Sequence, residues 1–258
     1  MKKILIIMGL LISVIGNSQI PITTSTGVPA LVTSTNIPLI GITPPDIQTA
    51  GIANLQLWVK ASQGVTFSTG LAVAQWNDLS GHSRNLTQAT GANQPTLVYN
   101  YHNGYPSIYF AANTAMSLPS ALSYSQETII AIGTFINAST YNMYILATSS
   151  TIVLGRTTSP SIYYRPNGVA ITYGLGVTCN ELIGTFNNYN SLVAYDNLQH
   201  PTTGVLGGSL TYISGIGYIN SSVTPFYIDE LMIFDKDLPL SIIQALNNYY
   251  ISPKYKIY

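Results

Sequence analysis

Along most of the chain, apolar and polar positions alternate over short stretches, and clusters of Gly, Pro, Asn and Ser separate one stretch from the next. The runs at 55–60, 73–76, 107–111, 128–136, 143–147, 151–154, 162–164, 169–173, 181–186, 191–195, 210–213 and 225–234 fit this pattern. Their spacing of about 8–12 residues, with turn residues between, predicts an all-β sandwich or barrel. No internal repeat of propeller or solenoid length interrupts it. One stretch departs from the period of two. After Pro239, residues Ile243, Ala245, Leu246 and Tyr250 fall at helical spacing, which predicts a short C-terminal helix with the proline in its first turn.

The N-terminal end carries a different pattern. Met1-Lys2-Lys3 is followed by an almost unbroken apolar run over 4–15 and by small and polar residues at 16–19. That order predicts a secretory signal peptide over 1–19. The apolar run is about a dozen residues long, short of the roughly 20 needed to cross a bilayer. The expectation is a secreted or cell-surface chain, exported by a bacterial-type route, with no membrane span after cleavage. Residues 20–50 mix Thr, Ser, Pro and isolated aliphatics without a period, and read as a spacer or arm. Its prolines favour extended backbone, standing off the body or lying along it as an edge strand. Residues 51–258 then form the domain.

Composition narrows the possible functions. Of 258 residues, 9 are Lys or Arg and 9 are Asp or Glu, so 7% are charged, against about 25% in an ordinary soluble domain. At 47% hydrophobic, with 19 Tyr, the chain can build a real core. A formal charge of zero excludes partners held by bulk electrostatics, such as nucleic acid or anionic lipid. Cys179 is the only cysteine, so the domain has no internal disulfide and depends on core area.

Three segments resemble the concanavalin A-like, or laminin-G-like, jelly-roll domains of secreted bacterial proteins. Leu57-Trp58-Val59-Lys60-Ala61 with Gly64-Val65 is similar to that family's opening "LWLKADxGV". The run from Val73 through Trp76, Asp78, Ser80 and Gly81 to Gln88, followed by Gln94-Pro95-Thr96 and Asn103-Gly104-Tyr105-Pro106, is similar to "VxxWxDxSGxGxxxxQ…QPT…NGxPxxxF". Tyr227 to Leu238 resembles its closing strand and helix entry. The chain departs from the pattern at Ala111-Ala112-Asn113, where the family carries an acidic turn. The resemblance implies an antiparallel two-sheet jelly roll with a short C-terminal helix and a binding surface made of edge loops. It implies no single activity.

The polar residues offer few catalytic arrangements. Jelly-roll glucanases use a Glu-x-Asp-x-x-Glu strand that places carboxylates on one face, and no such triplet occurs here. Asp229 and Glu230 are consecutive in a strand and are therefore expected on opposite faces. His82, His102 and His200 are too scattered for a zinc motif. A glycan hydrolase is the weakest reading. Asn77, Asp78 and Asn85 offer oxygen ligands for calcium, although Asp78 accepting backbone N–H groups in a tight turn explains them equally. Trp58 and Trp76 lie inside strands and are expected in the core. Tyrosines beside amides are the more informative set: Tyr101, His102 and Asn103; Tyr163, Tyr164 and Arg165; Asn188 and Tyr189, all expected in loops. Aromatic faces pack on sugar rings, and their polar neighbours reach hydroxyls. The chain is thus expected to be a non-catalytic module binding a neutral glycan or a surface protein. The alternative is a structural subunit of a cell-surface or virion-surface assembly, with the arm packing on a neighbour in a homo-oligomer.

Overall fold

A computed structural model describes residues 20–23, 29–32, 38–39, 54–136, 143–147, 152–156, 161–164, 169–172, 178–187, 191–196, 199–204, 212–217 and 225–256. Near the N-terminus, β1 (Ile20–Thr23), β2 (Pro29–Val32) and β3 (Pro38–Leu39) pair with one another as an antiparallel three-stranded sheet. The spacer therefore contains strands that its irregular pattern did not foretell.

The remaining strands build a two-sheet antiparallel sandwich, as the alternation predicts. The first sheet runs in the order β15 (Val169–Thr172), β14 (Ser161–Tyr164), β13 (Ile152–Arg156), β12 (Met143–Ala147), β19 (Ile213–Gly217), β10 (Ala115–Leu122), β7 (Leu86–Thr87), β6 (Val73–Trp76), β5 (Val65–Phe67). The second runs β18 (Gln199–Gly204), β17 (Ser191–Asp196), β16 (Thr178–Asn187), β11 (Gln126–Ile136), β20 (Phe226–Phe234), β9 (Tyr105–Phe110), β8 (Thr96–His102), and β4 (Leu55–Lys60) also pairs with β20.

Two apolar layers hold the second sheet. Between the sheets, Leu57, Val59, Ile108, Phe110, Ile129, Ala131, Phe226, Ile228, Leu231 and Ile233 meet Val73, Trp76, Leu86, Met116 and Ile216 from the first sheet. On the outer face, Trp58, Ile130, Ile132, Ile183, Met232 and Phe234 lie under Ile243, Leu246, Tyr250, Ile251 and Tyr255 of the C-terminal helical segment. A central strand buried on both faces reads as a nearly continuous apolar run, which is the character of β20.

The helical segment begins at Leu240–Leu246, where the Pro239 carbonyl accepts hydrogen bonds from the Ile242 and Ile243 N–H groups at 2.9 and 3.2 Å. It widens into a π-type turn over Asn247–Ile251 and closes with Ser252–Tyr255. Both tryptophans are buried, as expected; Trp76 Nε1 donates to the Lys60 carbonyl at 2.8 Å.

Candidate functional site

The chemistry gathers where the inner strands of the second sheet lose their alternation. Ile132 of β11 opposes Glu230 of β20, and the next residue, Gly133, opposes Ile228, so Asp229 is an extra residue in a β-bulge. Phe226 and Ile228 point into the inter-sheet core before the bulge, and Leu231 and Ile233 do so after it. The phase flips across Asp229-Glu230, and both carboxylates face outward. This overturns the expectation of opposite faces, which holds only for an unbroken pleat. Gly133 makes the bulge possible, since a Cβ there would collide with the Tyr227 carbonyl oxygen.

Glu230 is fully buried and collects four donors. Trp58 Nε1 reaches Oε1 at 2.5 Å and Tyr250 OH at 2.8 Å, while Tyr255 OH and Lys254 Nζ reach Oε2 at 2.6 and 2.8 Å. Lys60 stands opposite in register, its ammonium 3.9 Å above the Trp58 ring. Burial lowers the Lys60 pKa, with the Glu230 charge acting against that shift. Burial, reinforced by the Glu230 charge, pushes the Tyr250 and Tyr255 phenols above their ordinary range. The Lys254 ammonium also lies 4.6 Å from the Tyr255 ring centroid and 5.2 Å from that of Tyr105.

Asp229 supports a second constellation. Its Oδ2 lies 2.5 Å from His102 Nδ1, and His102 Nε2 lies 3.1 Å from Thr134 Oγ1. Burial raises the Asp229 pKa, opposed chiefly by His102, with Ser107 also favouring the ionised form and Glu230 adding to the rise. Asp229 Oδ1 and the Ser107 hydroxyl are both buried and short of a hydrogen bond of standard geometry. Above this base Tyr101 stacks on Tyr227 at 4.2 Å and meets His102 edge-on at 4.6 Å, and Tyr109 tilts against Tyr227 at 4.8 Å.

Local backbone geometry places these side chains. Asn103 and Gly104, with φ of 47° and 83°, form a two-residue hairpin turn between His102 and Tyr105, the conformation that an Asn-Gly pair favours. Three residues of β8 then lie against one of β9 between the Val98–Ser107 and His102–Tyr105 pairs, with Asn100 left-handed at φ 53°. The irregularity lets the consecutive Tyr101 and His102 both reach the outer face. Asn103 Nδ2 donates to the Lys254 carbonyl at 2.7 Å, tying the hairpin to the C-terminal segment. Tyr105 is exposed, Tyr101, His102, Tyr109, Thr134 and Tyr227 are half-buried, and both carboxylates lie beneath them.

The structure thus gathers Tyr101, His102 and Asn103, on an edge strand and its turn rather than in the loop expected. Tyr163 and Tyr164 lie on β14 of the other sheet, matching the strand run at 162–164 rather than a loop. Arg165, Asn188 and Tyr189 lie outside the described residues. Asn77, Asp78 and Asn85 belong to a turn. The Asp78 carboxylate accepts from the Trp58, Ser80 and Arg84 N–H groups at 2.9–3.0 Å and from the Ser80 hydroxyl, while Asn85 Oδ1 accepts from the Asp78 N–H. Those oxygens are engaged with donors in the tight-turn arrangement. Sequence reasoning missed Tyr105, Tyr109, Thr134, Tyr227 and Asp229 as parts of one site. The Asn103-Gly104 pair was the available signal for the hairpin.

No family model and no curated protein matches the sequence. Solved structures share the fold. The binding domain of Paraclostridial Mosquitocidal Protein 1 matches with a TM-score of 0.55 at 15% identity, over 77% of this chain and 53% of that one. The botulinum neurotoxin serotype D ligand binding domain in complex with N-acetylneuraminic acid matches at 0.56 and 10% identity, over 79% and 53%. The receptor binding domain of botulinum neurotoxin mosaic serotype C/D matches at 0.53 and 10% identity, over 78% and 52%. The chain spans about half the length of each.

Proposed function

We propose that this chain is an exported, non-catalytic binding module of the concanavalin A-like kind, and that it holds a neutral glycan against the outer tyrosine face at the β8–β9 edge. The observation that carries this reading is the joining of Tyr101, Tyr105, Tyr109 and Tyr227 with His102 and Thr134 on one partly exposed surface. Ring faces there suit the apolar side of a pyranose, and the hydroxyl and imidazole groups suit its polar edge. The nearby carboxylates are engaged internally, Asp229 in the hydrogen bond with His102 and Glu230 in the ion pair with Lys254, which favours an uncharged ligand. Both carboxylates are buried and already bonded, which supports binding over hydrolysis. The serotype D domain carries a sugar on the same fold; the residues that hold one here are this chain's own. The leader-like run at 1–19 supports export.

The test is binding of the full chain to a glycan array, followed by titration with the best ligand. Tyr105→Ala and Tyr109→Ala are expected to weaken binding about tenfold or more, on the scale of an aromatic truncated in a binding surface. Retention of no glycan, by a chain shown to be folded, overturns the reading.

A further inference from the structure

We infer that Thr134 is a direct polar ligand contact of this face and that His102 and Asp229 are the positioning residues behind it, together forming a hydrogen-bond relay that receives a sugar hydroxyl. The inference rests on the glycan reading above and adds to it a named polar contact and a pH dependence.

The relay follows from three atoms in sequence. Asp229 Oδ2 faces His102 Nδ1, so an ionised Asp229 holds the proton of a neutral imidazole on Nδ1. Nε2 is then a lone-pair acceptor, and Thr134 Oγ1 at 3.1 Å donates its hydrogen to it. Donating inward leaves Thr134 Oγ1 two lone pairs; the Tyr101 hydroxyl hydrogen-bonds to one, and the other is left to accept from outside at this half-buried position. A pyranose lying on the tyrosines meets an acceptor there and donates a hydroxyl hydrogen to it. When the imidazole gains a proton, Nε2 becomes a donor, and Thr134 must accept from it and turn its own hydrogen outward. The face then presents a donor where the bound hydroxyl had found an acceptor.

Other titratable groups lie around the imidazole. Asp229 bonds it from β20 and Tyr101 meets it from β8, Tyr105 of β9 pairs with it in register, and Glu230 beside Asp229 has Lys60 of β4 opposite. Lys254 and Tyr255 bond Glu230 from the C-terminal segment. Of these types, histidine is the one whose charge ordinarily changes between about pH 5 and 8. The two bulges are what bring the parts together, since an unbroken β20 would send Asp229 or Glu230 to the opposite face.

The experiment has two arms, both on the full chain. In the ligand-free protein, nitrogen-15 NMR of the His102 ring at pH 7.5 is expected to show the proton on Nδ1. The proton on Nε2 instead overturns the relay. In the second arm, methyl β-D-galactopyranoside, methyl β-D-glucopyranoside and methyl α-D-mannopyranoside are titrated between pH 5 and 8. Affinity for whichever binds is expected to fall about three- to tenfold on acidification, the worth of one hydrogen bond. Thr134→Val, which keeps the shape and removes the hydroxyl, is expected to lower affinity at pH 7.5 by a similar factor and to flatten the profile. His102→Asn flattens it as well. A sugar that binds with a flat profile and is indifferent to Thr134→Val overturns this inference and leaves the glycan reading standing. Binding of none of the three sugars at any pH, together with a blank glycan array, overturns the glycan reading and the assigned contact with it.

Discussion

At the residue scale, the centre of the site is a carboxylate hidden from water and bonded on both oxygens. Glu230 depends on Trp58, Tyr250, Tyr255 and Lys254 to offset its desolvation, because a buried charge is tolerated only when its oxygens are bonded. The two phenols bear the consequence at alkaline pH. Burial and then the Glu230 charge raise both above the ordinary value of 10.0. The folded chain therefore retains protons that the unfolded chain releases above about pH 10. Stability from this source is whole below pH 10 and declines as pH rises beyond it. Denaturant unfolding at pH 8, 9, 10 and 11 is expected to show a loss that steepens after pH 10. Tyr250→Phe should cost about 1–3 kcal/mol at pH 8, for a lost bond to a charged group, and should shallow the alkaline slope. An unchanged slope in both Tyr250→Phe and Tyr255→Phe would show that these phenols do not set it.

At the element scale, the bulge in β20 decides which residues meet. Gly133 has no side chain to oppose the Tyr227 carbonyl, so Gly133→Ala must push β11 and β20 apart or remove the bulge. We expect a loss above about 2 kcal/mol, in the range of severe backbone and packing changes, and a change in the His102 ring signals, since Thr134 is the adjacent residue. Thermal unfolding with proton NMR checks both; wild-type stability with an unmoved His102 would mean that the close approach is not needed. The strands themselves were largely readable because alternation reports burial: the runs at 73–76 and 143–147 coincide with β6 and β12. β5 and β7, at three and two residues, are too short to show a period. β8 was read in part as a loop because Asn is a turn residue, yet Asn100 serves as a left-handed irregularity inside a strand. The bulge left a fainter trace. Apolar positions that face the core at 226 and 228 resume at 231 and 233, a phase flip around two acidic residues, and only the pairing with β11 turns that flip into a shared face.

At the scale of the whole molecule, the scarcity of charge has a more specific meaning than a quiet surface. Glu127, Glu181, Asp229 and Glu230, four of the nine acids, are buried, as is Lys60. The outside is therefore even less charged than the composition implies. A weakly charged surface resists aggregation poorly, so covering the outer face of the second sheet matters more than usual. The C-terminal segment does that covering: without it, Trp58, Ile130, Ile132, Ile183, Met232 and Phe234 lose their lid and Glu230 loses three of its four donors. Each large apolar side chain returned to water costs about 1.5–3 kcal/mol, and together they approach the whole stability of an ordinary domain, about 5–15 kcal/mol. Ending the chain at Leu238 is thus expected to yield an aggregated product that binds a hydrophobic dye and shows no cooperative melt. A milder change isolates the polar part of the same contact. Lys254→Met keeps the apolar lid while removing the ion pair, and leaves Glu230 with three neutral donors. It should remain folded and unaggregated but melt at lower temperature, as a buried carboxylate stripped of its cation requires. If the truncated chain stays unaggregated with a cooperative transition, the outer face is stable uncovered and the segment is an accessory rather than a second layer of the core.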